Sequence, residues 1–271
     1  MDTVNAPATA APAQPAVKRK KREPDGARDA IILVILMVLV GVYAILFGLQ
    51  TLVWGEAHHL IKYNAWVADV PDPVDASVTP GSGTLLRAFN FQFKVPWPGK
   101  PKTDATLTYT QFRFDSGHVV VFFDPEAQLD TMRALKNTSP LLYQQFSNVF
   151  GGQIFNTNYE LYQAVYSASP AQTSPFMPSR DAIRANLLLL WKVSFGYDAS
   201  PGLHSIQFGE NRGFQFGDPA SGRAVALRIF DGKDNQFRLI FIMAAGANGK
   251  VTQGDINVAV QTLQEVPISE R

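Results

Sequence analysis

Cysteine is absent from the 271 residues. That excludes disulfides, thiolate zinc sites, thiol catalysis and a lipidated N-terminal cysteine. A strong charge of either sign is also missing. The formal net charge is +1, and 17% of residues are charged. Residues 1–29 hold six Lys/Arg against four Asp/Glu, and the remainder holds 18 against 19. A near-neutral domain is poor material for the phosphate contacts that dominate nucleic-acid affinity, so no nucleic-acid partner is expected. Histidine is scarce, with four in the chain. No G-x-S-x-G elbow, H-E-x-x-H helix or G-K-[ST] phosphate loop occurs.

What the chain does have is a long uncharged run, Ala30 to Trp54, AIILVILMVLVGVYAILFGLQTLVW. Its strongly polar members, Gln50 and Thr51, lie near one end. About 20 apolar residues cross the roughly 30 Å of bilayer hydrocarbon as a helix, so the run is long enough to span with tilt. A basic cluster precedes it: Lys18, Arg19, Lys20, Lys21 and Arg22, with Arg28 behind. Positive charge stays in the cytoplasm, so the segment after Trp54 is expected across the membrane. A cleavable signal peptide has an apolar core of 7–15 residues and then an A-x-A-like cut site. Here the core is longer and GEAHHL follows, which favours an uncleaved anchor.

Gly41, Ala44, Gly48 and Gly55 are spaced to share one helical stripe. Small residues let membrane helices approach closely, which makes this stripe a candidate face for homodimerisation. Gly and Ala are also simply common in membrane spans. Trp54, Tyr63 and Trp66 suit the outer headgroup zone.

The domains expected are a disordered cytoplasmic tail with the basic cluster (1–29), the transmembrane helix (30–54), a juxtamembrane linker (55–85) and an extracytoplasmic domain (86–271). The tail's PATAAPAQPA has nothing to bury. In the domain, Ala88–Val95 and Ala105–Phe114 alternate as half-buried strands, and HVVVFF (118–123) reads as a central one. Helical periodicity follows from Asp124 or Pro125 to Lys136, with Leu129, Met132 and Leu135 on one side. Further helices are expected over Leu141–Phe150, Asn158–Ser167 and Ser179–Lys192. The LLLLW core of the last is too short for a second span. Strands return at Ser205–Phe208, Gly213–Phe216, Arg223–Phe230 and Phe237–Ala244, separated by GEN, GDPASG and FDGKDN. A final helix is expected over Thr252–Gln264, capped by Thr252 and Asp255. The order of three strands, four helices, four strands and a helix makes an antiparallel sheet covered by helices, in the α+β class.

The opening FNFQFKVPWPGKPK and the closing strand–strand–helix ending in VTQGDINVAVQTLQ resemble the PsbP-like α/β sandwich domains. Those are small accessory modules, often on the far side of a bacterial or thylakoid membrane. The resemblance covers the two ends of the domain and carries over no catalytic or binding residue. It implies an accessory or assembly role without chemistry.

The remaining candidates for chemistry are sparse. Adjacent His58 and His59 diverge by about 100° on a helix, unlike metal ligands. His118 begins a strand and His204 lies beside Pro201 and Gly202. Asp115, Asp124 and Glu126 flank the third strand, where Asp is a turn and cap residue first. Asp231–Asn235 (DGKDN) lacks EF-hand spacing, and Gly81–Thr84 (GSGT) has no phosphate-loop context. No catalytic, cofactor or metal residue is assigned.

Three functions follow. The first is a single-pass anchored accessory protein that binds another envelope protein; the basic tail and cysteine-free domain favour a bacterial inner membrane. The second is a carrier or sensor of an apolar molecule held between sheet and helices, since pockets use the same aromatic residues as cores. The third is a hydrolase, which requires a buried cluster of mutually bonded Asp, His or Ser.

Overall fold

The computed structural model describes residues 26–75, 77, 83–125, 136–137, 140–150, 155–195, 202–243 and 249–266. The Lys18–Arg22 cluster, residues 1–25 of the expected tail, Gly81, Glu126 and most of the 124–136 helix lie outside these, whereas residues 26–29 of that tail are helical. Two compact units divide the chain, residues 1–46 and 47–271. Helix α1 (Gly26–Tyr63) belongs to both.

The second unit is α+β, as expected. Its large sheet has eight strands: β1 (Asp72–Pro73), β4 (Lys102–Ala105), β5 (Tyr109–Arg113), β6 (His118–Phe123), β7 (Leu203–Phe208), β8 (Asn211–Phe216), β9 (Val225–Phe230) and β10 (Gln236–Met243). They lie in the order β1-β7-β8-β9-β10-β6-β5-β4, antiparallel except for the short β1–β7 pair. A smaller antiparallel sheet holds β2 (Thr84–Ala88), β3 (Phe91–Val95) and β11 (Gln264–Glu265). The helices are α2 (Pro140–Val149), α3 (Asn158–Ser167), α4 (Ser179–Phe195) and α5 (Gln253–Thr262).

Period-2 alternation builds the main core. Phe237, Leu239 and Phe241 of β10 face Phe91, Phe93, Phe112 and Phe122, together with Leu227 and Ile229, under α5 residues Ile256, Ala259 and Val260. The opposite face of β7–β10 packs Phe214, Phe216 and Phe230 against Leu161, Tyr162, Val165 and Tyr166 of α3. Two arginines of that face are covered by tyrosine rings: Arg212 lies 4.0 Å over Tyr159 and Arg228 4.2 Å over Tyr162. Desolvated cation–π contact lets Arg228 be buried inside the layer.

Two expected single strands are hairpins instead. Ala88–Val95 is broken by a turn at Phe89–Asn90, with Phe89 in the left-handed region (φ 53°). The left-handed position of such a turn normally carries Gly or Asn, so with Phe89 there the alternation runs through unmarked. Ala105–Phe114 is broken at 106–108, where the Thr106 hydroxyl accepts from the Thr108 and Tyr109 amides at 3.2 and 3.1 Å. A Thr side chain substitutes there for a glycine signal. Leu107 at that tip is 91% exposed.

The other expected strands and helices of the second unit agree within about three residues, an ordinary margin at element ends, whereas the helix expected over 30–54 runs from Gly26 to Tyr63, into the expected linker. The α5 start shows the capping box: Asp255 N donates to the Thr252 hydroxyl (3.2 Å) and Thr252 N to the Asp255 carboxylate (2.9 Å). Asn211 closes the other end of α5, its amide donating to Val260 O and Leu263 O. A buried amide chain, Gln215–Gln253–Asn257, ends on the Asp75 and Ser77 carbonyls and ties the segment after α1 to α5.

Candidate functional site

Within the second unit, residues 47–63 of α1 have two unlike sides. Gln50, Val53 and Ala57 recur at helical spacing and are buried. Ala57 packs with Ala168 and Leu189 of α4, beside Trp66 and Val193. The Gln50 amide donates to the Ser179 hydroxyl at 2.7 Å, at the first residue of α4. The polar residues near the end of the apolar run are therefore accommodated: Gln50 by the domain, and Thr51 by its own helix, its hydroxyl donating to Phe47 O at 3.0 Å.

The other side is open. Leu52 is 73% exposed there, and Leu49 and Trp54 are exposed at the flanks. Gly48 and Gly55 lie roughly 140–180° round the helix from Gln50, Val53 and Ala57. A Cβ at either would meet nothing within 4 Å. In the first unit, Gly41 is equally open and Ala44 is exposed. The nine residues Ile32 to Val40 are each 52–61% exposed, on every side of the helix. No single helix among the described residues is long and apolar enough to cross a membrane; Ile32–Ala44 and Leu46–His59 reach that length and composition only together. The second piece is diluted by Gln50, Glu56, His58 and His59.

The C-terminal end of this helix–domain contact is fastened by Lys192, on α4. Its side chain is wholly buried, and its ammonium donates to Ala168 O at 2.7 Å and to Asp69 O. The Asp69 carbonyl follows the short 3-10 turn Ala65–Ala68, and Ala168 ends α3. One side chain thus joins the exit of α1 to both domain helices. Burial pulls the Lys192 pKa down to about 8, partly offset by the nearby Asp69 carboxylate. The sequence marked Lys192 only as the end of the helix expected over Ser179–Lys192. A buried lysine leaves no pattern of its own.

The polar residues singled out for chemistry are dispersed into structural roles. His58 is exposed, with Nδ1 2.8 Å from Trp54 O and its ring against the Trp54 indole. His118 is buried, stacked on Trp97 at 4.2 Å, with Nδ1 2.8 Å from the Ser116 hydroxyl. This Ser–His pair is local to one turn. The neighbouring carboxylate, Asp255, accepts from the Trp97 indole at 3.2 Å and serves the α5 cap. A triad would need that acid on the histidine.

His204 sits beside Gly202, which adopts φ +102°. Asp115 is exposed at the β5–β6 turn, and Asp124 N continues the β5–β6 pairing to Thr108 O. Asp231 closes the β9–β10 turn by accepting from Lys233 N, Asn235 N and Asn235 Nδ2. Asp234, in the left-handed region, reaches across to the start of α3 and accepts from Asn158 N at 2.6 Å and Tyr159 N at 3.1 Å. Among the described residues, no group of three or more His, Asp or Glu is placed to hold a metal ion. A cleft of about 360 Å³ lies at the N-terminal end of α5, lined by Asp218, Lys250, Thr252 and Gln253 among others. One of its lining residues, Val251, belongs to the main core.

No family model matches this chain, and neither the curated proteins nor the solved structures contain a match to it.

Proposed function

We propose that the chain is a single-pass membrane-anchored accessory protein. The anchor is the Ala30–Trp54 run, the N-terminus is cytoplasmic, and the C-terminal α+β domain faces outward to bind another envelope protein. The observation that carries this reading is the bare apolar stretch from Ile32 to Val40. Covering a large apolar side chain yields about 1.5–3 kcal/mol, so nine half-exposed ones left in water forgo on the order of 10 kcal/mol. A bilayer recovers that energy on all sides of a helix at once, whereas a single protein groove covers one stripe. The basic cluster Lys18–Arg22 then sets the orientation, with a bacterial inner membrane the favoured setting.

The accessory role is supported by the local, structural use of the Asp and His residues described above. The likeness to PsbP-like domains belongs to the same proposal. Self-association through Gly41, Ala44, Gly48 and Gly55 is its further element. The test is extraction. In membranes from expressing cells, the full chain should stay in the pellet through an alkaline carbonate wash and leave it in detergent. Release by carbonate would overturn the anchor.

A further inference from the structure

Two arginines lie under α3 with rings for neighbours and no acceptor. Arg212 of β8 and Arg228 of β9 are diagonal neighbours on one face of the large sheet, since Arg212 pairs with Phe230 and Phe214 with Arg228. Their guanidiniums lie over Tyr159 and Tyr162, at 4.0 and 4.2 Å. Those two rings are three positions apart on α3, which makes them neighbours on its surface. The two cations are therefore held side by side.

Stacking covers the flat faces of the guanidiniums and leaves their edges. Each edge is a fork of N–H donors, and arginine keeps its charge when buried. Among the described residues, neither Arg212 nor Arg228 donates a hydrogen bond or forms an ion pair. Arg228 is 7% exposed, so bulk water reaches little of it. The carboxylates at the start of α3 are engaged elsewhere: Asp234 accepts from Asn158 N and Tyr159 N, and Glu160 from Asn156 N at 2.8 Å. Arg238 stands directly opposite Arg228 on β10 but has other interactions, so it is outside the pair. Lys192, also buried, is met by two carbonyls. A buried charge is tolerated when it is hydrogen-bonded and costly when it is not.

We infer that Arg212 and Arg228 form a binding site for a phosphate group. The tyrosine rings orient the guanidiniums, and the open edges offer two forks to one oxyanion. A phosphate monoester carries between about one and two negative charges at neutral pH, which matches two arginines. Its three acceptor oxygens can serve both forks, whereas the two oxygens of a carboxylate fill one. Exposure sets the way in. Arg212 and Tyr159 are half-buried, while Arg228 and Tyr162 are buried. The site therefore opens beside the start of α3, and Arg228 forms its inner end. Asp234 is close to that opening, with its charge held against the positive end of α3. The inference stands apart from the membrane anchor.

The test is calorimetric titration of the full chain in detergent, in a phosphate-free zwitterionic buffer at constant ionic strength. The probes are inorganic phosphate, glycerol 3-phosphate and acetate. The expected result is one phosphate per chain, with acetate much weaker. Arg212→Gln should weaken phosphate roughly tenfold or more, and Arg228→Lys, which keeps the charge and loses the fork, should do the same. Arg87→Gln, exposed on β2 in the smaller sheet, should bind as the parent does. Should Arg228→Lys fold poorly, thermal unfolding carries the test: phosphate raises the midpoint of the parent and of Arg87→Gln, and leaves that of Arg212→Gln where it was. Tighter binding of glycerol 3-phosphate than of the free ion identifies an ester as the ligand, and the reverse order identifies inorganic phosphate. No binding of either, acetate binding as tightly, or undiminished binding by Arg212→Gln would overturn the site.

Discussion

Lys192 is the residue whose environment costs most. It is a primary ammonium with no exposure to water, kept because two carbonyls from separate segments converge on it. Its folded pKa of about 8 lies below the ordinary 10.5. Between those values the unfolded chain binds more protons than the folded one, so stability rises with pH through that window. The shift corresponds to on the order of 3 kcal/mol, fully relieved only above the unfolded value. Detergent-solubilised protein unfolded from pH 7 to 10.5 should therefore gain stability relative to Lys192→Met as pH rises. A constant gap between the two would show that burial does not penalise the charge. At pH 7 the variant leaves two carbonyls without their donor, a loss of about 1–3 kcal/mol that removal of the buried charge offsets in part.

Gly213 poses a different residue-scale constraint. A Cβ there would come within 2.0 Å of Arg228 O and 2.9 Å of Ile229 Cα on the adjacent strand. Backbone cannot yield as a side-chain end can, so Gly213→Ala should cost about 3 kcal/mol. Gly222 adopts φ +68° but has open space around it, so Gly222→Ala should cost nearer about 1 kcal/mol. Equal losses in denaturant titration would count against the close β8–β9 approach.

At the scale of elements, Asp234 couples the β9–β10 turn to α3 by accepting from its first two amides. Helix N-termini gain from an acceptor and from negative charge. Asp234→Ala should cost about 1–2 kcal/mol. Hydrogen exchange should show the loss concentrated in the first turn of α3, and an even loss across the domain would contradict the local cap. This cap was hidden in the sequence because DGKDN reads as ordinary turn material, and Asp234 meets α3 from 75 residues away. The strongly periodic elements were legible: β6, β10, α3 and the Thr252–Asp255 cap of α5 follow from alternation, helical spacing and a capping box. Hairpins closed by Phe89 and Thr106 were not, because a Phe takes the left-handed position of one turn and a Thr hydroxyl closes the other, with neither Gly nor Pro in either. The division of the large sheet from the small one depends on long-range pairing such as β3 with β11, which local pattern does not encode.

For the whole molecule, composition located the apolar run, but its two environments emerged only from packing. Gln50, Val53 and Ala57 are drawn into the domain, while Ile32–Val40 remain bare. Within the second unit the end of α1 is docked, since Gln50–Ser179 and Lys192 fasten it at both ends of α4. The linker residues Asp75 and Ser77 add a third attachment through Asn257. Those ties hold the segment that follows α1 against α4 and α5.

Orientation is the decisive quantity. With distinct epitope tags at the two termini, protease is added outside intact spheroplasts of an expressing bacterium. The C-terminal tag should be degraded without lysis, while a short fragment bearing the N-terminal tag survives until detergent is added. A C-terminal tag that persists until lysis would contradict the proposed topology.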